Sequence, residues 1–203
     1  MRKSIALGIA AVFVSGGVAL AVQQGAAAKK LLVKSPPSGN KKIVYLSKNT
    51  TATLDLSYND PISFGASFFI DIAGAAGGSQ CMLLPSSGWS PIGTIGRKYK
   101  DPTLANGPVK VALIKATPSG NFLLKVIEKS SQITPAPGNP TATYGTSFEI
   151  GGGGDQYCSS TGTATPKKND EKKFLVNNDT GTACTTSCAS SPSGAFLDAA
   201  SGF

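Results

Sequence analysis

The stretch that decides the fold is VKVALIKA (residues 109–116), followed by TPSG (117–120) and NFLLKVIEK (121–129). Aliphatic residues dominate both long runs, and the four residues between them carry an early proline and a late glycine. Such a loop suits a type I turn that ends in a left-handed residue, so the two runs predict a β-hairpin. Apolar side chains occur on both faces of each run. This pattern predicts central strands, or an outer face that neighbouring segments cover.

Shorter runs of the same kind lie on both sides of this hairpin. They are KIVYLS (42–47), TATLDL (51–56), ASFFIDIA (66–73), SQCMLL (79–84), TSFEIG (146–151), DQYCSS (155–160) and KFLV (173–176). Several alternate apolar and polar residues with a period of two, which is typical of half-buried strands. Beyond the first thirty residues, no segment has apolar residues at helical spacing. The sequence therefore predicts an all-β fold, an antiparallel β-sandwich or open barrel of about 8–10 short strands, after an N-terminal signal helix.

The N-terminus has the layout of an export signal. Arg2 and Lys3 precede an uncharged stretch, residues 5–22, and small-x-small sites follow at residues 19–21 and 26–28. This is the pattern of a cleaved signal peptide, although a retained membrane anchor is an alternative because the run is just long enough to cross a bilayer. Cleavage leaves a secreted protein, periplasmic or extracellular, that begins at residue 22 or 29 and has no membrane span.

The composition of the remaining segments divides the chain into four parts. Residues 29–41 contain Pro36-Pro37 and a Ser-Gly-Asn run, which predicts a flexible lead-in. The tail is rich in serine, threonine, alanine and glycine, and we expect a disulfide to tie it back to the strands. The predicted parts are a signal peptide (1–28), the lead-in (29–41), a β-sandwich domain (42–176) and the tail (177–203).

Four cysteines form an even set: Cys81, Cys158, Cys184 and Cys188. In an oxidising compartment such a set predicts two disulfides. One of the three possible pairings joins Cys184 to Cys188 and closes a very short loop. The other two connect the tail to the strands around Cys81 and Cys158, and we favour these because a longer loop gives the larger entropic stabilisation. A zinc site is the weaker interpretation, since the spacing is not that of a zinc ribbon. We predict no metal and no cofactor.

The composition also limits the chemistry. The chain contains no histidine, so Ser-His-Asp and Cys-His catalysis and histidine-ligated metals are excluded. A pair of carboxylates, as in glycosidases, remains open. The formal net charge is +8, but no run reaches five like charges, and an exported protein rarely meets nucleic acid. We therefore expect no nucleic-acid partner, and an anionic surface or a glycan is the class of partner that the charge allows.

The loop YKDPTLANGP (99–108) is the most detailed stretch outside the hairpin. Asp101-Pro102 initiates a turn, Asn106-Gly107 tolerates left-handed backbone, and these turn signals explain most of the loop without a ligand. The functional alternative is an aromatic and basic surface that stacks on sugars or holds anions. Its candidate ligand-binding residues are Trp89, Arg97, Tyr99 and Lys100, and adhesion to anionic surfaces would add Lys98.

The order CMLLP…GW…KYKDPTLANGP…QYC resembles a group of uncharacterised exported bacterial proteins. Residues 81–108 carry the resemblance well, and residues 109–176 carry it loosely. In that group a cysteine usually follows the Gly-Pro, where this chain has Val109. The resemblance implies a bacterial source, secretion and a β-rich fold. The group has no assigned activity, so no functional residue is carried over.

Two functional hypotheses follow. The first is a secreted, disulfide-stabilised β-sandwich that acts without catalysis, as a binding or surface-associated structural module. The alternative is a carbohydrate-binding or carbohydrate-active protein that uses Trp89, Tyr99 and two acids. Catalysis would require two carboxylates about 5–10 Å apart in one concave site. A non-enzymic module would have its acids scattered over strand faces.

Overall fold

The protein is described by a computed structural model that covers residues 22–49, 51–117, 119–141, 143–151, 154–184 and 187–188. It is built of thirteen strands, one short α-helix and one 3-10 turn (Ser86–Gly88) within these residues. The elements are β1 (Gln23–Gly25), β2 (Ala28–Lys34), β3 (Lys41–Asn49), α1 (Pro61–Phe64), β4 (Ala66–Ile72), β5 (Gly78–Leu84), β6 (Trp89–Ile92), β7 (Gly96–Lys100), β8 (Val109–Ala116), β9 (Phe122–Ser130), β10 (Tyr144–Ile150), β11 (Gln156–Ser160), β12 (Lys168–Asp170) and β13 (Lys173–Asn177).

The strands form two sheets. The large sheet has the order β12-β13-β2-β3-β9-β8-β7-β6, and the small sheet has the order β1-β11-β10-β4-β5. Every pairing is antiparallel except that of β1 with β11. The predicted all-β sandwich is therefore confirmed, although the structure has more strands than expected. The predicted signal helix lies outside the described residues.

Alternation along the strands supplies the core between the sheets. In β9, Phe122, Leu124 and Val126 point inward and are fully buried, while the residues between them face outward. Aromatic rings join the two sheets: Phe122 stacks on Tyr157 of β11 with ring centroids 4.8 Å apart. The predicted hairpin is present as β8 and β9, paired from Ala116↔Phe122 to Val109↔Glu128.

The N-terminal part of the fold differs from expectation. The segment predicted as a flexible lead-in, 29–41, contributes most of β2, which lies between β13 and β3 in the large sheet. The prediction was wrong because Pro36, Pro37 and the glycine occupy only the turn after the strand, whereas Leu31 and Val33 are buried. The fold also includes β1 and the buried side chains of Ala26 and Ala28, so the sandwich begins well before residue 42.

The run TATLDL (51–56) has the predicted faces but does not form a strand. Ala52 is buried and Leu54 packs against the core, as the alternation requires. The backbone of Thr53 bonds to side chains instead of to a neighbouring strand: its N–H donates to Gln24 Oε1 at 2.7 Å, and its carbonyl accepts from Tyr157 Oη at 2.9 Å. The period of two indicates which side chains are buried, but it does not indicate which groups form hydrogen bonds with the backbone.

Two disulfides attach the segment after β13 to the outer face of the small sheet. Cys158, Ser147, Phe69 and Cys81 occupy one cross-strand row on that face. The disulfides Cys158–Cys184 and Cys81–Cys188 attach the tail to the two ends of this row. Three strand intervals separate the ends, about 14 Å, which four extended residues can span. The two predicted disulfides are confirmed, and the structure selects one of the two favoured pairings.

Candidate functional site

Two of the predicted ligand-binding residues belong to the core. Trp89 on β6 and Tyr99 on β7 are directly opposite each other and only 7% and 1% exposed, with ring centroids 5.5 Å apart. Trp89 Nε1 donates to the carbonyl of Leu84 at 3.1 Å, and its ring meets Phe148 edge-on. Both rings point inward because Trp89 and Tyr99 lie on the strand faces that meet the small sheet. This corrects the aromatic-surface hypothesis, since neither ring is free to stack on a ligand.

Arg97 is also used within the fold. Its Nε and Nη2 donate to both carboxylate oxygens of Asp60 at 2.6–3.0 Å. The same carboxylate caps helix α1 by accepting from Ile62 N at 2.9 Å. The hydrogen bonds from Arg97 lower the pKa of Asp60, and burial opposes this effect. This two-pronged pairing joins β7 to the loop before β4. Because the Asp60 carboxylate already neutralises the guanidinium, Arg97 has little charge left to attract a ligand.

The loop YKDPTLANGP is held by one carboxylate. Asp101 accepts hydrogen bonds from Ala105 N at 3.1 Å and Asn106 N at 2.7 Å, and from Thr103 Oγ1 at 3.2 Å. These bonds, from the Asn106 N–H first, lower the pKa of Asp101. Leu104 has a φ of 61° and is only half-buried. The loop is a self-contained connector between β7 and β8, as its turn signals predict.

Lys100, the fourth predicted residue, belongs to a much larger surface. Together with Lys98 it lies on the outer face of the large sheet. The register places eleven lysines and a single acid, Asp170, on this face of the described strands; we call it the lysine face. Its lysines are Lys30, Lys34, Lys42, Lys48, Lys98, Lys100, Lys115, Lys125, Lys129, Lys168 and Lys173.

Four of these lysines are direct cross-strand neighbours. The lysine row is Lys173, Lys34, Lys42 and Lys129, on the adjacent strands β13, β2, β3 and β9. At about 4.8 Å between strands, the row spans about 14 Å. Like charges placed directly opposite each other destabilise a sheet, so the four charges do not themselves stabilise the fold, and the one opposite charge in line with them is Asp170 beside Lys173. Among the described residues, the lysine row is the feature that most clearly indicates binding to an anionic partner.

An apolar row runs beside the lysine row, two residues further along each strand. It consists of Leu175, Leu32, Val44, Ile127 and Val111. Every member is half-buried, although all of them face away from the core. Lysine stems cover neighbouring apolar surface while their ammonium groups stay in water, which accounts for this partial burial. Lys168 and Lys100 occupy the two ends of the apolar row.

The inner face of the large sheet carries an unexpected acid. Glu128 on β9 is fully buried between Ile43 of β3 and Val109 of β8, and neither carboxylate oxygen has a hydrogen-bond partner. Burial raises the pKa of Glu128 to about 8. The signal for this was in the sequence: Glu128 follows Val126 and Leu124 at period two, on the face that the alternation assigns to the core. Such a group is protonated at neutral pH and has no place in a surface site.

Two aromatic residues that are exposed in the described part of the chain lie elsewhere. Tyr58 and Phe64, in the segment that includes α1, are 71% and 64% exposed, and Ile62 is 37% exposed. This segment contacts β6 and the 3-10 turn. Sequence reasoning missed these residues because they follow no periodic pattern. They lie on either side of Asp60 in the chain, and Asp60 is the partner of Arg97.

Two cavities among the described residues have acidic side chains in their lining. One of about 140 Å³ lies against Tyr144, Phe174 and Asp179. The Asp179 carboxylate is already occupied, because it accepts from Gly162 N at 3.1 Å and Tyr144 Oη at 3.0 Å. A larger one, about 570 Å³, lies at the β12–β13 turn and is lined by both lysines and acids, among them Lys34 and Glu171.

Within the part of the chain that the structure covers, no cluster of three or more histidine, cysteine or acidic side chains is placed to hold a metal ion. Over the same residues, no helix has the length and hydrophobicity needed to cross a bilayer. Comparisons of this chain with protein-family models, with curated proteins and with solved structures found no match.

Proposed function

We propose that this protein is exported and acts as a non-catalytic binding module that attaches to an anionic surface through its lysine face. The observation that carries the proposal is the lysine row, in which four positive charges stand side by side on adjacent strands. A partner with many negative charges offsets the repulsion between these four lysines. The other lysines of the lysine face, on both sides of the row, add to the attraction. Two disulfides in an all-β fold fit an oxidising compartment, which supports export.

The structure also bears on where an export signal would be removed. Cleavage after Ala28 would delete β1 and the buried Ala26 side chain from the fold. Cleavage between residues 21 and 22 keeps β1 and Ala26 in the mature chain. It also keeps the hydrogen bonds of the Val22 backbone to Asp155 and Gln156. We expect N-terminal sequencing of the secreted form to begin at residue 22. A mature form that begins at residue 29 would contradict this expectation.

The proposed attachment is tested with variants of equal net charge. Lys42→Gln with Lys129→Gln removes the centre of the lysine row, and Lys29→Gln with Lys167→Gln removes two exposed lysines outside it. Retention on a sulfated polysaccharide matrix is measured as the NaCl concentration rises. We expect the row variant to elute at much lower salt than the control variant, which stays close to wild type. Equal elution of the two variants would show that only net charge matters and would refute the proposal.

Glycan binding is a second candidate, carried by the exposed Tyr58 and Phe64 rings in place of the buried Trp89 and Tyr99. Exposed aromatic rings stack on sugars, and single loops carry such sites. In this case Tyr58→Ala with Phe64→Ala abolishes retention on a neutral polysaccharide, and the lysine variants do not affect it. If the double variant is retained on the neutral polysaccharide as strongly as wild type, glycan binding through these two rings is ruled out.

A further inference from the structure

Resting on the proposed function, we infer that the anionic surface is a lipid bilayer that carries acidic headgroups, on which the large sheet lies flat. The inference draws on the two-dimensional spread of the charge, on the apolar row within it, and on the near absence of acids among the described strands of this face. Each of these features distinguishes a membrane from a linear polyanion or a second copy of the chain.

The charge is spread over an area and not along a line. Lysines occupy the outer face of seven of the eight strands, from Lys168 on β12 to Lys98 on β7. Seven adjacent strands cover about 29 Å at 4.8 Å per interval. A linear polyanion would contact one row of this face and leave most of the lysines unused. An acidic bilayer presents its charges in two dimensions and engages lysines on both sides of the apolar row.

The apolar row gives the second argument. Lysines flank it on one side in the lysine row, and on the other side Lys30 and Lys125 alternate with Leu46 and Leu113. Aliphatic side chains add nothing to the recognition of a hydrated polymer. Beside lysines whose stems let the ammonium groups reach headgroup phosphates, they suit the boundary between headgroups and acyl chains.

The same charges disfavour a second copy of the chain as the occupant. Two lysine faces brought together would oppose eleven lysines to eleven others, with only Asp170 in each copy to offset them. Like charges across an interface cost several kcal/mol. A membrane supplies the negative charge that a second copy lacks.

The test uses the whole chain from residue 22 with both disulfides formed. Cosedimentation is measured with phosphatidylcholine vesicles, with vesicles that also contain phosphatidylglycerol, and with a soluble sulfated polysaccharide as competitor. Of the two kinds of vesicle, we expect binding only to the one that contains phosphatidylglycerol, with release by salt. The row variant Lys42→Gln/Lys129→Gln should bind about 30-fold more weakly, at about a factor of five per lysine. The control variant Lys29→Gln/Lys167→Gln should bind like wild type.

A second variant isolates the apolar row. Val44→Thr with Ile127→Thr keeps every lysine and β-branched side chains on both strands. We expect it to bind acidic vesicles several-fold more weakly and to keep its full affinity for the sulfated polysaccharide. Its thermal unfolding is compared with wild type to establish that it is folded. If it loses structure, Val111→Thr on β8, a single substitution within the apolar row, replaces it in the same assay.

The outcomes separate the two levels of the proposal. Binding to the polysaccharide without binding to acidic vesicles overturns the lipid inference and leaves the proposed function intact. No salt-sensitive binding to either partner overturns both. Equal loss in the row variant and the control variant overturns the assignment of the lysine face.

Discussion

The outer faces of the two sheets differ in how far their apolar side chains are exposed to solvent. On the small sheet, Phe69 of β4 faces outward yet is only 4% exposed, and it lies in the cross-strand row whose end residues, Cys158 and Cys81, form disulfides with Cys184 and Cys188. On the large sheet, Ile127 of β9 faces outward and is half-buried among lysine side chains. Both strands have apolar residues on both faces. The comparison shows that the same pattern occurs on a face that is closed to solvent and on an amphipathic face that is half-exposed.

The largest expected change in the free energy of unfolding comes from removing the disulfides on the outer face of the small sheet. Cys81→Ser with Cys188→Ser opens a loop of 107 residues and should lower the free energy of unfolding by about 5 kcal/mol. Cys158→Ser with Cys184→Ser opens one of 26 residues and should cost about 3–4 kcal/mol. Urea unfolding of each oxidised double variant provides the measurement. If neither removal changes the midpoint, the tail does not hold the outer face of the small sheet.

The next effect concerns the buried side of the lysine-bearing sheet. Glu128 has a folded-state pKa of about 8, above its ordinary value of 4.5. The folded state therefore binds the proton more tightly, so stability is complete below about pH 4.5 and is lost as the pH rises through about 8. Glu128→Gln removes this loss and should be more stable than wild type by about 4 kcal/mol near pH 9.

Thermal unfolding as a function of pH provides the measurement for Glu128. The control is Glu171→Gln in the exposed turn between β12 and β13, which should follow the wild-type curve. A wild-type stability that stays level between about pH 5 and 9, or an unchanged pH profile in Glu128→Gln, would show that the carboxyl is not buried as described.

A matched pair of truncations compares the outer faces directly. Phe69→Ala removes an almost fully buried ring and should lower the free energy of unfolding by about 3 kcal/mol, as for a core phenylalanine. Ile127→Ala removes a half-buried side chain and should cost about 1 kcal/mol. Both are measured by urea unfolding of the oxidised protein. Equal costs would mean that the lysine face is covered as fully as the small sheet.

The smallest effect has the opposite sign. Lys42 stands between Lys34 and Lys129 in the lysine row, so Lys42→Thr relieves two like-charge pairs. We expect it to raise the free energy of unfolding by a few tenths of a kcal/mol at low salt, with the gain lost at high salt. Lys167→Thr, outside the row, serves as the control and should not stabilise. A destabilised Lys42→Thr would mean that the row contributes to packing.

The sequence predicted the features that depend on local chemistry. The hairpin, the inward faces of the strands and the turns around Asp101 follow from alternation and turn residues, and the structure has them. It did not predict β2, because prolines and a glycine next to a short aliphatic run outweighed that run. It also could not separate Trp89 as a ligand platform from Trp89 as a core residue, because only the partner sheet decides which face of β6 is buried.

By itself, the sequence determined the all-β class, the absence of imidazole chemistry and an even set of cysteines, since these depend on composition and on a period of two along single segments. Only the tertiary structure decided the disulfide pairing, the burial of Phe69 on the outer face of the small sheet and the alignment of four lysines from distant segments. Those features depend on strand order and register, and register joins residues far apart in the chain whose local patterns are compatible with several partners.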